Sequence, residues 1–419
     1  MATSAPAPPA PPTPPVRRRR ALRGGLAAAI VALLAVLAVV IVNRPAGTPS
    51  DPGGVAPTAP VPPLYVSPAG SDTEDGASPA TAFGSIQAAL EKATPGTVIN
   101  LAPGVYREQL NTVRDGAPGA PITIKGPETG TDRSGRYQAV LYGTDRVISV
   151  DHSWITLDGF TVDGQEQLAR EPFPTDLRRA DAFKDSVADR VEDGRLVYVG
   201  SNDDTRDVTG VTVNNMYLHG AGGECVRLRN NAHDNTVSNS VIEYCGLYGK
   251  DGDGKRAEYH NGEGVYIGTS PKSGDQPMAG TDTSSGNLVT NNIIRTFGSE
   301  CLDVKENAHD NVFEGNRCSG NTENVDFEGS NVELRGYANV VRNNDIADSL
   351  GYNVKIQTDG GEYDKGRNSV EGNRLSGAAA EAFKVKSSAE QGTMCGNTVA
   401  GGALFSSKGT TLPGVTDPC

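Results

Sequence analysis

Four short segments of the sequence begin with glutamate and then alternate apolar residues with polar or charged ones. They are ECVRLR (224–229), EGVYIG (263–268), ECLDVK (300–305) and ENVDFE (323–328). Alternation of this kind is typical of a strand whose polar side chains face outward. If the four strands were stacked, their glutamates would repel one another unless cations compensated them. Arginine or lysine of the same segments could do this, and so could a hard metal ion that takes carboxylate oxygens.

The third segment combines two carboxylates with an amine. Glu300 and Asp303 offer carboxylates, and Lys305 offers an amine two residues further along. The segment is therefore a candidate for holding a hard cation, provided that neighbouring segments face the same groove.

An internal repeat predicts how these segments are stacked. One eight-residue phrase occurs eight times: ITLDGFTV (155–162), VTVNNMYL (211–218), NTVSNSVI (235–242), NLVTNNII (287–294), NVFEGNRC (311–318), NVVRNNDI (339–346), NSVEGNRL (368–375) and GTMCGNTV (392–399). The fifth residue is always glycine or asparagine, which adopt a left-handed backbone most easily, so two short strands should meet there at a tight bend. The sixth residue is asparagine in five consecutive copies, Asn292, Asn316, Asn344, Asn373 and Asn397. These side chains can form an amide ladder only if the strands are parallel and in register.

The spacing of the phrase defines a coil with three strands. Successive copies end 56, 24, 52, 24, 28, 29 and 24 residues apart, so the basic coil has 24 residues and two coils carry long insertions. A third strand follows the phrase, and its inward residues are predicted to be Val197, Val226, Val265, Leu302, Val325, Val354 and Phe383. Three short strands per coil predict an all-β fold, a single-stranded right-handed parallel β-helix. An antiparallel sandwich would need hairpin turns and would show no fixed period.

The outward residues of the third strand should form two columns across the coils. The first column is Tyr198, Arg227, Tyr266, Asp303, Asp326, Lys355 and Lys384. The second column is Gly200, Arg229, Gly268, Lys305, Glu328, Gln357 and Lys386. Insertions at 163–195, 246–262 and 269–286 flank this strand and should wall a groove over the columns. The second insertion contains Asp251 and Asp253 without the spacing of a calcium loop, so we expect a solvated loop there.

The N-terminal part of the chain differs in composition from the rest. Residues 1–23 are predicted to be a disordered, proline-rich tail ending in an arginine cluster, and 43–63 a proline-rich linker to the β-helix domain at 64–419. Residues 24–42 carry no charge, and at about 1.5 Å per residue they can span a membrane. The preceding arginines predict a cytoplasmic N-terminus, a single-pass anchor and an extracellular β-helix. If the apolar run is a cleaved signal peptide instead, the protein is secreted.

The net charge of the chain limits which partners it can bind. The formal net charge is −13, and an acidic surface repels phosphate backbones, which excludes nucleic acid as a partner.

Residues 85–93 (SIQAALEKA) have the pattern of a short amphipathic helix that could cap the first coil. We expect a monomer.

Two segments resemble known polysaccharide lyases. LYVSPAGSDTEDGASPATAFGSIQAALEKATPGTVINLAPGVY (64–106) resembles the opening segment of secreted β-helix lyases of the pectate-lyase-like fold and their relatives. SECLDVKENAHDNVFEGN (299–316) resembles the strand of polysaccharide lyase family 6 that supplies a metal-binding glutamate and the lysine base, here Glu300 and Lys305. In this register Glu328 takes the place of the family's arginine one coil later, and Gly298 that of its second metal carboxylate. The resemblance, which extends to the calcium-dependent family 9, implies β-elimination on a uronate glycan with calcium as cofactor. In that reaction a cation beside the substrate carboxylate acidifies the adjacent C–H, and an amine with a lowered pKa accepts the proton.

These observations give a set of candidate site residues. The catalytic candidates are Lys305, Arg227, Arg229 and Lys355. The metal-binding candidates are Glu263, Glu300, Asp303 and Asp326. The residues expected to line a substrate groove are Tyr198, Tyr266 and Lys384.

Three other interpretations remain open from the sequence. The charged columns could be a solvated ladder of salt bridges without a ligand. A glycoside hydrolase would use two carboxylates, for which Asp303 and Asp326 are the best pair. A non-catalytic glycan-binding protein of the cell envelope would need aromatic platforms, mainly Tyr198 and Tyr266.

Six cysteines outside the cytoplasm permit several disulfides. Cys395 and Cys419 form the expected pair, because the tail must fold back over the last coil. The pairs Cys225–Cys245 and Cys301–Cys318 are both allowed, and Cys318 could equally be a buried thiol.

Overall fold

The computed structural model of the protein describes residues 60–127, 137–201, 206–247, 261–274, 276–323, 326, 328–401, 403–406 and 414–419. The predicted tail, the apolar run at 24–42, most of the linker, and Asp251 and Asp253 lie outside these residues. Within the described ranges, no helix combines the length and the apolar character needed to cross a membrane.

The described chain winds into three parallel β-sheets, and each coil contributes one strand to each sheet. Sheet 1 holds the first strand of each coil, which from residue 155 onward is the first strand of the phrase: Leu64–Val66, Val98–Leu101, Ile122–Lys125, Ile155–Asp158, Thr212–Asn214, Thr236–Ser238, Leu288–Thr290, Val312–Glu314, Val340–Arg342, Ser369–Glu371 and Met394–Cys395. Sheet 2 holds the second strand: Gly104–Arg107, Ala139–Tyr142, Thr161–Asp163, Tyr217–His219, Val241–Glu243, Ile293–Arg295, Arg317–Ser319, Asp345–Ala347, Arg374–Ser376 and Thr398–Ala400. Sheet 3 holds the third strand: Leu110–Asn111, Asp145–Val150, Gly194–Val199, Val226–Leu228, Val265–Ile267, Leu302–Val304, Ser330–Leu334, Tyr352–Ile356, Glu381–Val385 and Ala403–Ser406. This arrangement is a parallel β-helix, as the repeats predict.

Short elements outside the three sheets complete the described fold. A two-stranded sheet pairs Val208–Thr209 with Ala232–His233. The helices are α1 (Ile86–Lys92) and α2 (Ala180–Val187), with 3-10 turns at Pro79–Thr81, Glu166–Leu168, Leu177–Arg179 and Gly361–Tyr363. Helix α1 begins after Ser85, whose side chain accepts a hydrogen bond from the Ala88 N–H, and it buries Ile86, Ala89 and Leu90.

The bends between sheets 1 and 2 have the predicted left-handed backbone. The fifth residue of all eight phrase copies has a φ between +51° and +76°. These residues are Gly159, Asn215, Asn239, Asn291, Gly315, Asn343, Gly372 and Gly396. Side chains with a larger Cβ substituent adopt this region rarely, which explains why only glycine and asparagine occur at the bend.

Two asparagine ladders follow the stack of coils. In the predicted ladder, each Nδ2 donates to the Oδ1 of the next residue at 2.9–3.1 Å, through Asn292, Asn316, Asn344, Asn373 and Asn397. A second ladder of the same kind, at 2.9–3.2 Å, runs through Asn235, Asn287, Asn311, Asn339 and Asn368. This ladder was not predicted, although its members occupy the first place of five consecutive phrase copies. Both ladders also bond to buried backbone groups at the turns of the coils that they connect.

One coil departs from the predicted register. Leu302 pairs with Val332 and Val304 pairs with Leu334, so the strand begins at Ser330 and not near Val325. The sequence offers two similar alternations, NVDFE and NVELR, and the predicted register followed the first. The structure uses the second, in which Val332 and Leu334 are fully buried. The segment 323–329 is therefore an insertion ahead of the strand.

Three disulfides connect neighbouring parts of the chain. They join Cys225 to Cys245, Cys301 to Cys318, and Cys395 to Cys419. The first two each link the residue before a strand of sheet 3 to the following coil. The alternative of a free Cys318 thiol is therefore wrong.

Replacing an internal ladder residue should destabilise the fold. Asn344 is 2% exposed, and its amide bonds to Asn316, to Asn373 and to the Phe313 carbonyl. Asn344→Ala leaves these buried groups unpaired, so the free energy of unfolding should fall by about 1–3 kcal/mol in denaturant titration. Asn100→Ala, which removes a single 3.5 Å bond at a half-buried site, is the control. Equal losses in both variants would contradict a special role for the ladder.

Candidate functional site

The outward face of sheet 3 stacks charged residues from successive strands. In the observed register the first column is Tyr198, Arg227, Tyr266, Asp303, Glu333, Lys355 and Lys384. The second column is Gly200, Arg229, Gly268, Lys305, Arg335, Gln357 and Lys386. The correction at one coil replaces Asp326 by Glu333 and Glu328 by Arg335.

Three carboxylates meet on this face. Glu263, Glu300 and Asp303 each place one oxygen within 4.8 Å of the others'. Their exposed fractions are only 2%, 4% and 2%. Oε2 of Glu263 and Oδ1 of Asp303 are enclosed without a hydrogen-bond partner. Buried carboxylate oxygens without a donor suit a hard cation, so these residues fit calcium.

The fourth metal candidate does not join this cluster. Asp326 is exposed and belongs to the insertion ahead of the strand. Glu333, which takes its place in the column, is held by Arg335 Nε at 2.7 Å and by Lys355 Nζ at 2.8 Å. Those cations hold its pKa at about 2, although burial by itself would raise it.

The electrostatics of the cluster favour an added positive charge. Burial raises the pKa of Glu263 well above its ordinary value, and repulsion from Glu224 adds to this effect. Burial also raises the pKa of Glu300, with further repulsion from Glu323 and Glu333. Ionised carboxylates in such positions are unfavourable without a compensating cation.

Lys305 stands next to the cluster and bonds to Asp303. Its Nζ donates to Asp303 Oδ2 and lies 4.7 Å from the centre of the Tyr266 ring. Burial opposes its charge, but Asp303 outweighs burial and the pKa lies above its ordinary value. The sequence predicted a lowered pKa. The direction is opposite because Asp303 shares the outward face with the amine.

Arg335 is a site residue that was absent from the predicted set. Its backbone N–H donates to the Val304 carbonyl at 2.8 Å, which puts it beside Lys305 in the second column. Its guanidinium contacts Glu333 at 2.7 Å and Asp359 at 3.0 Å. Arg335 therefore occupies the place at which the resemblance expects an arginine.

Glu306 is a buried carboxylate behind Arg335. It is fully buried, and neither carboxylate oxygen accepts a hydrogen bond. The nearest cation is Arg335, whose Nη1 lies 3.8 Å away. Burial raises the pKa of Glu306 to about 7, although Arg335 and Lys305 act in the opposite direction.

The two arginine candidates lie two strands from Lys305, not beside it. Glu224 is bound by Arg227 and by Arg195, the latter at 2.6 Å. Burial by itself would raise the pKa of Glu224, but the two arginines hold it below its ordinary value. Arg229 donates from Nε to Thr269 at 2.9 Å, while its enclosed Nη2 has no partner.

The predicted aromatic groove residues are buried. Tyr198 is 1% exposed and Tyr266 is 5% exposed. The guanidinium of Arg146 lies 3.8 Å from the Tyr198 ring centre, and that of Arg227 lies 4.7 Å from the Tyr266 ring centre. The rings thus stack with cations and offer no open platform for a sugar.

Among the described residues, the first insertion packs near the connection between sheets 2 and 3, and the third reaches the site through Asp359. Most of the second insertion, 248–260, lies outside the described residues. The Phe173 ring of the first insertion packs on Tyr244 with the ring centres 4.6 Å apart, next to the connection between sheets 2 and 3. Lys272 of the third insertion bonds to Asp359 at 2.9 Å, and Asp359 in turn contacts Arg335.

Solved structures of two polysaccharide lyases share this fold. An alginate lyase from Paenibacillus sp. str. FPU-7 is 19% identical, with a TM-score of 0.55 over 76% of this chain and 93% of its own. Pectate lyase Pel9A is 16% identical, with a TM-score of 0.51 over 84% of this chain and 80% of its own. No protein-family model and no curated protein sequence matches the chain. The chain is thus a parallel β-helix that resembles polysaccharide lyases in fold.

Calcium should stabilise the protein through the three-carboxylate cluster. Adding calcium to chelator-treated protein should raise the thermal midpoint, because a ligand at 100 times its Kd contributes about 2.7 kcal/mol. Glu263→Gln should remove this response. Asp345→Asn, which breaks an exposed pair with Arg374 on sheet 2, should keep it. An equal calcium response in the wild type and Glu263→Gln would exclude the cluster as the metal site.

Glu306 should make stability depend on pH. Its pKa is raised from 4.5 to about 7 in the folded state, so its stabilising contribution is present below the unfolded pKa and is lost as the pH rises through about 7. Relative to wild type, Glu306→Gln should gain about 3 kcal/mol of unfolding free energy between pH 4.5 and about 7. Denaturant titrations at several pH values measure the difference. Glu91→Gln on the exposed face of α1 is the control, and a pH-independent difference for Glu306→Gln would contradict the assignment.

Proposed function

We propose that the protein is a calcium-dependent polysaccharide lyase that cleaves uronate glycans by β-elimination. The observation that carries this proposal is the cluster of Glu263, Glu300 and Asp303, with unpartnered oxygens, directly beside Lys305. The names of the two compared proteins, an alginate lyase and a pectate lyase, support a uronate substrate.

The residues have distinct roles in this proposal. Glu263, Glu300 and Asp303 hold the cation. When bound, calcium would supply positive charge beside the substrate carboxylate and so make the adjacent C–H more acidic. Lys305 accepts the proton from that carbon once Asp303 no longer holds the amine in its charged form. The C–H electron pair becomes the new C=C bond, and the glycosidic oxygen leaves with the electrons of its bond and takes up a proton from water.

Arg335 completes the reacting centre from the next coil. Glu333 and Asp359 fix its guanidinium in place, which suits a group that donates hydrogen bonds to a substrate oxygen as negative charge develops there. Arg227 and Arg229 lie two strands before Lys305, and Lys355 lies two strands after it. We therefore assign these three residues to binding of the anionic glycan.

The competing functions receive less support from the geometry. A two-carboxylate hydrolase loses its best pair, since Asp326 lies outside the column that contains Asp303. A binding protein without activity would use aromatic platforms, whereas Tyr198 and Tyr266 are buried.

The cellular setting is part of the proposal. We propose that residues 24–42 anchor the chain in the cell membrane with the N-terminus in the cytoplasm, so that a monomeric β-helix acts outside the cell. The three disulfides support an oxidising compartment. We further propose that the helix is right-handed and that α1 covers its first coil.

Lys305→Ala should abolish elimination. The wild-type chain, incubated with pectate, alginate or a glycosaminoglycan in calcium, should release an unsaturated product that absorbs in the ultraviolet. Loss of the base should lower the rate by at least about 100-fold, while the calcium-induced rise in thermal midpoint remains. Lys92→Ala on α1 is the control. A flat trace for the wild type on all three substrates would overturn the lyase assignment, and a reducing-sugar assay would then detect hydrolysis.

A further inference from the structure

The charged face of sheet 3 continues beyond the reacting centre with a group of lysines. Lys355, Lys384 and Lys386 lie on the two strands Tyr352–Ile356 and Glu381–Val385 and just after the latter. Lys355 is already paired with Glu333 at 2.8 Å. Lys384 and Lys386 contact a different carboxylate, that of Glu328.

Glu328 shows how these lysines hold a carboxylate. Lys384 Nζ lies 3.0 Å from Oε1 of Glu328, and Lys386 contacts Oε2. Lys384 also donates to the hydroxyl of Tyr352 at 2.9 Å and lies 4.6 Å from the centre of that ring. Although burial opposes it, the two lysines hold the pKa of Glu328 below its ordinary value, so the bound group is ionised. Two ammonium groups thus hold one carboxylate, and Tyr352 positions one of the two.

Glu328 is a partly exposed occupant with a strained backbone. Its carbonyl accepts a hydrogen bond from Lys355 Nζ at 2.5 Å, and the side chain of Lys384 is 16% exposed. Glu328 comes from the insertion ahead of its strand, and its backbone has a φ of +56°, which is unfavourable for a residue with a long side chain. Its side chain is 32% exposed and that of Lys386 is 41% exposed. Ion pairs with this exposure contribute little to stability. Among the described residues, no other carboxylate forms a salt bridge with Lys384 or Lys386.

We propose that Lys384, Lys386 and Tyr352 form a carboxylate-binding subsite of the glycan groove, which Glu328 occupies until a carboxylate of the substrate displaces it. The inference rests on the proposed function for the nature of the ligand, since the geometry alone shows that the subsite takes a carboxylate. Lys384 lies three strands beyond Asp303, about 14 Å at ~4.8 Å per strand. The rise from one coil to the next is about the length of one sugar residue in an extended glycan. The subsite would therefore bind the carboxylate of a sugar about three residues from the reacting one.

The test measures affinity for defined oligosaccharides in calcium, using the full-length chain with Lys305→Ala so that the probes are not cleaved. Unsaturated product is measured separately with the chain that keeps Lys305. The probes are a galacturonate hexamer, a mannuronate hexamer and a carboxyl-reduced, neutral hexamer. Glu328→Gln removes the competing carboxylate and should tighten binding of an acidic hexamer about threefold. Lys384→Met removes a ligand of the carboxylate and should weaken it about tenfold. Neither change should affect the neutral hexamer. Lys386→Met, at the more exposed position, repeats the test if Lys384→Met does not fold.

A matched variant separates this effect from the loss of any surface ion pair. Glu314 on sheet 1 pairs with Arg342 and is 30% exposed, close to the exposure of Glu328. Glu314→Gln should leave all affinities unchanged. Unchanged or weaker binding in Glu328→Gln, an equal response of the neutral hexamer, or no binding of either acidic hexamer would overturn the subsite. Affinity requires no turnover, so the two proposals can fail separately. If the affinities change as expected but no unsaturated product forms, the lyase proposal is refuted and the subsite stands. If product forms but the affinities are unchanged, the subsite is refuted and the lyase proposal stands.

Discussion

The in-register stacking of one coil on the next is the constraint on which the rest of the structure depends. Parallel pairing places equivalent residues directly above one another, about 4.8 Å apart. For asparagine this stacking of like residues is favourable, because each side-chain amide donates a hydrogen bond to one neighbour and accepts one from the other. On the outward face of sheet 3 the same stacking is unfavourable, because acidic residues of neighbouring coils are brought together. The fold must therefore compensate charge along one face.

Along the outward face of sheet 3, the carboxylates are compensated by cations to different degrees. Near one end, Glu224 is balanced by two arginines, and further along Glu333 is balanced by Arg335 and Lys355. Between them, Glu263, Glu300 and Asp303 share one nearby amine, that of Lys305, and keep oxygens without partners. The uncompensated stretch lies between two compensated ones, and the cation-binding chemistry is assigned to it for that reason.

The repeats predicted the fold well because backbone and interior carry periodic signals. The left-handed fifth residue, the first asparagine ladder and the alternation of the third strand are all local patterns. The register near Val332 could not be read in this way, since NVDFE and NVELR alternate equally and only burial of Val332 and Leu334 distinguishes them. Because of this ambiguity, the predicted set of site residues included Asp326 and omitted Arg335. The pKa direction of Lys305 was also beyond the sequence, because it depends on which way the amine and Asp303 face one another. The N-terminal segment and the roles of the site residues remain predictions.

The disulfides have a consequence for mechanical load. Cys301 directly follows Glu300, and its bond reaches Cys318 in the next coil. Cys225 likewise follows Glu224 and is joined to Cys245. If the proposed glycan is held on this face and dragged by its surroundings, it would pull on these strands, which are only a few residues long. The force would pass through covalent bonds into sheet 2 and the turn after it, so the strands of sheet 3 need not bear it through their hydrogen bonds alone.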